Sequence, residues 1–282
     1  MISIGLIVTG ESERIGLAPA LGRLFPQATF AVVPGRVDGF TSRRIPAVFT
    51  PPERTLGDSN EQKLVNTLLG AITDRNTSFD YALVIDDLET ENWGQAAVVT
   101  SYFRQVVEHT LACETQRSRD LMREKCSFHL LHPMLEALFF GDANALDAAG
   151  APPSYTVQRA PGDVELFTAT DATYLNAPDE PKASRRRGNR RWAVADRIHK
   201  PKHYLMYLSE QPDGRRYEET DGGVRALQTL NWATLFTNRR EVRFARSLIE
   251  DIAAMLNVAS PYPGDCATET WRSTEQNVLR NL

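Results

Sequence analysis

The segment Tyr81-Ala-Leu-Val-Ile-Asp-Asp-Leu-Glu89 runs from five largely apolar residues into three acidic ones. A continuous apolar run of this length is typical of a strand that is buried on both faces, as in a parallel sheet. We therefore predict a strand over residues 81–85. Because ligands of open α/β sheets bind beyond the carboxyl ends of the strands, we expect Asp86, Asp87 and Glu89 to lie at a functional edge.

The rest of the first half alternates short apolar runs with segments of helical period. We predict further strands over residues 2–8, 29–33 and 127–131, and helices over residues 12–25, from 60 to about 73, and from about 93 to 110. Alternating strands and helices predict an α/β fold, with a mostly parallel sheet flanked by helices. We assign residues 1–149 to this domain.

The second half of the chain differs in composition from the first. Residues 150–200 are broken by prolines, and residues 182–202 contain nine Lys or Arg against one acid. This composition predicts a basic, loop-rich insertion. Helical spacing returns over residues 202–208, 222–236 and 241–256, so we expect residues 201–282 to form a helical part that packs on the same domain.

The overall composition is that of an ordinary globular protein. Of its 282 residues, 42% are hydrophobic and 24% are charged, and the formal net charge is -4. These values exclude a disordered tail, a coiled coil and a wholly basic nucleic-acid coat. Three cysteines without CxxC spacing argue against a zinc site or a disulfide framework. We expect a cytoplasmic protein without signal peptide or membrane span.

The acidic residues at the strand ends are the strongest candidate for chemistry. Glu11 and Glu13 follow the first predicted strand, so they are expected at the same edge as the acids after residue 85. Hard oxygen ligands suit Mg²⁺ or Mn²⁺, which would relieve the repulsion among these carboxylates. Such an arrangement suits metal-assisted phosphoryl chemistry. Alternatively, Asp86, Asp87 and Glu89 only solvate a loop and cap the next helix.

Three short motifs occur in a characteristic order: Gly-x-x-Glu at residues 10–13, Asp-Asp-x-Glu at 86–89 and His-Pro-x-x-Glu-Ala at 132–137. In these motifs the chain resembles the small TOPRIM-like proteins of unknown function that are encoded beside OLD-type ATPases in bacterial anti-phage loci. The resemblance covers residues 1–145 and, more loosely, the C-terminal part. It implies a TOPRIM-type fold, binding of Mg²⁺ or Mn²⁺, and cleavage of nucleic acid under the control of a partner ATPase.

The resemblance also implies roles for individual residues. TOPRIM folds place a general acid/base Glu directly before the first glycine, where this chain has Thr9, which cannot do that job. Glu11 or Glu13 could substitute for it, and Glu13 matches the second acidic position of the turn. The metal pair of the family falls on the acids at positions 87 and 89. The expected metal ligands are Glu13, Asp86, Asp87 and Glu89.

His132 and Glu136 lie four residues apart, so they share a helix face if a helix begins at His132. They would then form an outer part of the acidic site, with His132 as a proton shuttle or a phosphate contact. The alternative for His132 is a structural histidine at a helix N-terminus, bonded to the backbone. We predict that this helix ends at Gly141.

A basic run with one aromatic residue is the second candidate site; it contains Arg185, Arg186, Arg187, Arg190, Arg191 and Trp192. Clustered cations suit phosphate contacts, and an aromatic ring suits base stacking. The same run could instead be a solvated loop or a docking site for an acidic partner. Residues that could widen the basic surface are Arg43, Arg44, His199, Lys200, Lys202 and His203.

These features favour a metal-dependent nuclease that cleaves DNA or RNA as an effector in an ATPase-controlled anti-phage system. The alternative is a catalytically inactive TOPRIM-like subunit, which docks on the ATPase and senses a phage component or nucleic acid. Thr9 favours the inactive subunit, whereas the three acids at one strand end favour the enzyme. A phosphatase or nucleotide hydrolase that uses the same acids is a third option, and the basic run makes it less attractive.

Overall fold

The structure is a computed structural model, and it describes residues 1–46, 59–74, 78–152, 164–181, 183–184, 190–237 and 242–262. Within these residues four strands form one sheet: β1 (Ile2–Val8), β2 (Ala28–Val32), β3 (Tyr81–Asp87) and β4 (Cys126–Leu131). Every neighbouring pair is parallel. The predicted α/β fold, with a mostly parallel sheet flanked by helices and a helical C-terminal part, is confirmed.

Helices cover the sheet and form most of the second half of the chain. The helices of the first half are α1 (Glu11–Leu24), α2 (Asn60–Thr73), α3 (Ala96–Leu111), α4 (Gln116–Lys125), α5 (Glu136–Phe139) and α6 (Ala143–Ala149). Those of the second half are α7 (Ala172–Asn176), α8 (Pro201–Ser209), α9 (Val224–Thr229), α10 (Trp232–Thr237) and α11 (Arg243–Met255). A π-helical turn, Glu219–Gly223, precedes α9.

The strand order is β2-β1-β3-β4. The chain therefore leaves β1 toward one edge of the sheet, forms β2, and then crosses back to place β3 on the other side of β1. The loops after β1 and β3 lead in opposite directions, which opens a crevice at the carboxyl ends of these two strands. This topological switch point receives the acidic residues that follow the apolar runs.

Two hydrophobic cores lie on the two faces of the sheet. Successive side chains of a strand point to opposite faces, so Leu6 and Ile85 join the core beneath α1, whereas Ile7 and Val84 join the core beneath α2 and α3. Burial of each such side chain stabilises the fold by about 1.5–3 kcal/mol. Because both faces are covered, β1 and β3 are held rigidly, and their carboxyl ends are fixed relative to each other.

Several element boundaries differ from the predictions. Helix α2 has the predicted bounds, but β3 continues through Asp87, so both aspartates belong to the strand. Helix α4 was not predicted, because Met122 is its one buried residue and it lacks an apolar stripe. The predicted helix over residues 222–236 is divided at Asn231, whose backbone N–H donates to Asp142 Oδ2 at 2.7 Å.

The segment predicted as a loop-rich insertion contributes to the main core. Its rings of Phe167, Tyr174 and Trp192 are buried in the same hydrophobic cluster as β1 and α1. The Arg197 guanidinium lies 5.9 Å from the ring centres of both Tyr174 and Trp192. The described part of this segment is therefore packed against the domain. No helix in the described ranges is both long enough and apolar enough to cross a membrane.

Candidate acidic site at the sheet edge

A pocket of about 250 Å³ lies at the carboxyl ends of β1 and β3. Its walls are lined by Thr9, Gly10, Glu13, Asp38, Gly39, Thr41, Ser42, Asp86, Asp87, Glu89, Glu136, Lys202 and Glu219. Seven of these described side chains are carboxylic acids, and one is a cation. The predicted convergence of acids from the first and third strands is therefore present, and the second half of the chain adds further charges.

Glu13 reaches the pocket because α1 begins directly after β1. It is the third residue of α1 and is buried, and its carboxylate folds back over Gly10. A Cβ atom on residue 10 would lie 2.1 Å from Glu13 Oε2, so a larger residue there would displace this carboxylate. Burial, together with the charge of Glu136, raises the pKa of Glu13 to about 8.

Asp86 is held by donors from the protein. Thr9 Oγ1 donates to Asp86 Oδ1 at 2.6 Å, and Thr41 Oγ1 donates to Asp86 Oδ2 at 3.4 Å. Burial raises its pKa to about 6, although these bonds and the backbone N–H of Phe40 favour the charged form. Asp86 was predicted as a metal ligand, but both of its oxygens accept hydrogen bonds that fasten residues 39–41 to the strand ends.

Asp87 points to the opposite face of the sheet from Asp86, as successive strand residues do. The backbone N–H of Leu135 donates to Asp87 Oδ1 at 2.9 Å, which orients the carboxylate toward the start of α5. Burial raises the pKa of Asp87 well above its usual range, and the charges of Glu13, Glu89 and Glu136 add to this effect. The charges of three other acids in the pocket therefore all act on the Asp87 carboxylate.

Glu89 lies in a strained backbone conformation just beyond β3. Its φ is 62° and its ψ is 154°, a combination that is essentially restricted to glycine and costs about 1–3 kcal/mol. A bond from its N–H to the carbonyl oxygen of Pro133, at 2.8 Å, helps to hold it there. Burial raises the pKa of Glu89 to about 7, against the lowering effect of the Lys202 charge.

The second half of the chain completes the pocket with groups that were not predicted there. Lys202 Nζ lies 2.5 Å from Glu219 Oε1 and 4.0 Å from Glu136 Oε1. Tyr217 Oη donates to Glu136 Oε1 at 2.9 Å, so the predicted outer residue Glu136 is a member of the pocket itself. The sequence carries no local signal for Glu219 or Tyr217, because their partners lie far away in the chain.

Two predicted site residues lie elsewhere. Glu11 is on the outer side of α1, where its Oε1 is 3.0 Å from an Arg36 nitrogen. His132 does not share a helix face with Glu136, because α5 begins only at Glu136. Its ring is buried between Trp93 and Phe244, and its Nδ1 contacts the carbonyl oxygen of Glu165. Burial lowers the pKa of His132, which fits the structural role.

The described residues of the basic run already contact other parts of the protein. Trp192 is buried and its indole N–H donates to Glu210 Oε2 at 2.6 Å, so its ring is not available for the predicted base stacking. Arg190 pairs with Glu180, and Arg191 pairs with Glu218 at 2.9 Å. The other predicted contacts lie outside the described residues; they are Arg185, Arg186 and Arg187.

The donor set can be compared with the needs of a divalent cation. In the part of the chain that the structure describes, no three His, Cys, Asp or Glu side chains are arranged to hold a metal ion. However, the pocket offers hard oxygen donors, and its acids outnumber its lysine by seven to one. Their type and charge therefore fit Mg²⁺ or Mn²⁺, while the described side chains do not converge on one point.

Comparisons with models of known protein families, with curated proteins and with solved structures give no match. The resemblance to TOPRIM-like proteins thus stays a prediction based on the three short motifs.

Proposed function

We propose that this chain is a divalent-metal-dependent nuclease that cleaves phosphodiester bonds of DNA or RNA. One observation carries the proposal: an excess of carboxylates lines a small pocket at the switch point of a parallel sheet. Glu13 and Glu136 are 6% and 4% exposed. Buried charges are costly unless they are neutralised, and a divalent cation neutralises carboxylates at the place where open α/β sheets bind ligands.

The candidate ligands for Mg²⁺ or Mn²⁺ are Glu13, Asp87, Glu89 and Glu136, whose side chains would have to move to converge on one ion. When bound, such an ion polarises a phosphate oxygen and lowers the pKa of a coordinated water. Asp86 has a different role in this proposal. Through Thr9 and Thr41 it keeps residues 39–41 against the strand ends and so fixes one wall of the pocket.

The substrate backbone would be bound by cations at the mouth of the pocket. Ser42 lines the pocket, and the exposed Arg43 and Arg44 follow it directly. The Arg43 side chain is 66% exposed even though it pairs with Glu61. Cations that contact phosphates give binding that weakens as salt increases. The arginines at positions 185–187 remain part of the proposed contact surface.

The direct test is cleavage of plasmid, single-stranded DNA and total tRNA by the purified chain with Mn²⁺. Asp87→Asn and Glu13→Gln should abolish cleavage, because each removes one charge from the pocket. Glu11→Gln is the matched control, since Glu11 lies two residues before Glu13 but pairs with Arg36 outside the pocket. Cleavage by the Asp87→Asn variant would overturn the proposal. A loss of cleavage in Glu11→Gln as large as in Glu13→Gln would overturn it as well.

One observation favours a second candidate, a non-cleaving subunit that docks on an OLD-type ATPase in the cytoplasm and senses a phage component or nucleic acid. The position of the general acid/base Glu in TOPRIM folds holds Thr9, and the Thr9 hydroxyl is engaged by Asp86. Calorimetric titration with Mn²⁺ separates the two candidates. A docking subunit needs no metal, so absence of both Mn²⁺ binding and cleavage would favour it.

A further inference from the structure

Asn92 is a buried side chain that holds a loop beside the pocket. It ends a short 3₁₀ turn, Thr90–Asn92, just beyond β3, and it is 0% exposed. Its Oδ1 accepts the backbone N–H of Ile45 at 2.8 Å, and its Nδ2 donates to the carbonyl oxygens of Thr41 at 2.7 Å and Arg43 at 3.0 Å. One side chain therefore binds the backbone of the loop at three positions.

Buried groups anchor this loop at both ends. Phe40 and Ile45 are 2% and 1% exposed, and both belong to the core beneath α2 and α3. The side-chain amide of Asn60 donates to the carbonyl oxygen of Gly39 at 3.1 Å. A loop without such contacts has to be ordered when it binds a ligand, and this ordering weakens binding. The backbone of residues 39–45 is instead ordered before any ligand binds.

Between these anchors residues 42–44 are exposed, and Ser42 lines the pocket. The two arginines of this stretch differ. Arg43 Nη2 donates to Glu61 Oε1 at 3.0 Å, and Glu61 is 1% exposed, so Arg43 compensates a buried charge. Arg44 makes no ion pair with an acid among the residues that the structure describes. Arg44 is therefore the cation of this loop that can contact an anion.

We propose that Asn92 is a positioning residue, which holds Arg44 at the mouth of the pocket for contact with a backbone phosphate of nucleic acid. This inference rests on the proposed nuclease function. The bonds of Asn92 to the backbone of Arg43 and Ile45 lie on either side of Arg44. Arginine binds phosphate through a planar fork of N–H donors. Contacts to phosphate carry no base information, so this loop binds nucleic acid without regard to sequence.

Binding of labelled duplex DNA and of labelled single-stranded RNA, measured by fluorescence anisotropy in EDTA over a range of salt concentrations, tests this inference without metal or cleavage. Arg44→Ala should reduce the slope of log K against log salt by about 0.7–0.9, the value of one phosphate contact. Arg123→Ala is the matched control. Arg123 is exposed as well, but it lies just before the start of β4, at the opposite edge of the sheet from the pocket.

A double-mutant cycle tests the role of Asn92 itself. Asn92→Ala should weaken binding by about 2- to 10-fold, because the loop must then be ordered on binding. The double variant Asn92→Ala/Arg44→Ala should bind as Arg44→Ala does, since a residue that acts through another has no effect once the other is removed. A purely structural role of Asn92 would give the same loss in both backgrounds.

Each outcome has a distinct meaning. An unchanged salt slope in Arg44→Ala, or equal losses from Asn92→Ala in both backgrounds, would overturn this inference and leave the nuclease proposal standing. No binding of either nucleic acid by wild type would overturn both. The expected binding effects without cleavage in Mn²⁺ would overturn the nuclease alone.

Hydrogen exchange of the wild type gives a test that needs no variant and so applies even if Asn92→Ala does not fold. The Ile45 amide should be protected, because Asn92 Oδ1 accepts its N–H in a buried position. Exchange of this amide at the rate of an unstructured peptide would overturn the ordered loop and the role of Asn92 with it.

Discussion

Replacement of Thr9 by Val tests the structural reading of Asp86. Val has nearly the shape of Thr, so the substitution removes the hydroxyl that donates to Asp86 Oδ1 at 2.6 Å and leaves no cavity. A hydrogen bond to a charged group contributes about 1.5–3 kcal/mol, against about 0.5–1.5 kcal/mol for a neutral one. Asp86 is 2% exposed, so water cannot easily replace the lost donor.

The destabilisation by Thr9→Val should depend on pH. The pKa of Asp86 is about 6, and loss of a bond to the charged form should raise it by about 1–2 pH units. At pH 5 Asp86 is protonated in both folded proteins, so the variant loses only a neutral bond. At pH 8 the wild type is ionised and keeps its charged bond. The loss of unfolding free energy should therefore grow by about 1–2 kcal/mol between pH 5 and pH 8.

Urea unfolding of wild type and Thr9→Val at pH 5 and pH 8 measures this difference. Thr41→Val is the matched control, because it removes a hydroxyl from the same carboxylate at the longer distance of 3.4 Å and should cost less. A Thr9→Val protein as stable as wild type at pH 8 would refute the reasoning. So would a loss of stability that is the same at both pH values, or a larger loss for Thr41→Val.

Three further predictions concern the other acids. The metal-free protein should lose stability from pH 5 to pH 8. The pKa values of Glu89 and Glu13 are raised to about 7 and about 8, so the folded state holds more protons than the unfolded state. An unfolding free energy in urea that is the same at both pH values would contradict this. Mn²⁺ binding at pH 7 should release protons, as measured by calorimetry in two buffers, and the Glu13→Gln variant should release fewer protons than wild type. Equal release by the two proteins would exclude Glu13 as a source of these protons. Glu89→Gly should raise the melting temperature by relieving about 1–3 kcal/mol of backbone strain while weakening Mn²⁺ binding. Asp196→Gly, also at positive φ, should leave Mn²⁺ binding unchanged, and a lower melting temperature for Glu89→Gly would count against strain.

The sheet could be predicted because its signals are local. Uninterrupted apolar runs mark strands covered on both faces, and Ser59 caps α2 at the position where the helical period begins. Helix α4 escaped prediction because its sequence, QRSRDLMREK, carries almost no apolar face. The break before α10 escaped it because Asn231 bonds to Asp142, 89 residues earlier in the chain.

The acidic edge could be predicted in part. Asp86 and Asp87 point to opposite faces of the sheet because both belong to β3. The predicted strand ended at Ile85, so this difference between the two aspartates was not predicted. Lys202 was expected to widen the basic surface, but its ammonium lies 4.0 Å from Glu136 in the pocket. Trp192 follows Arg190 and Arg191 in sequence, yet its ring is buried in the hydrophobic core and Glu210 accepts its N–H. Partners outside the local sequence decided the last two outcomes.

The assembly of the pocket from distant segments has a consequence for the order of folding. Ser12 binds the carbonyl oxygen of Glu219 across 207 residues, and the sheet needs only the chain up to Leu131. During synthesis, the strands can therefore pair while Lys202 and Glu219 have yet to emerge from the ribosome. Contacts of such long range form late, because closing large loops is entropically costly. A nascent chain would thus acquire its sheet first and complete the walls of the acidic pocket only after residues 202–219 have been synthesised.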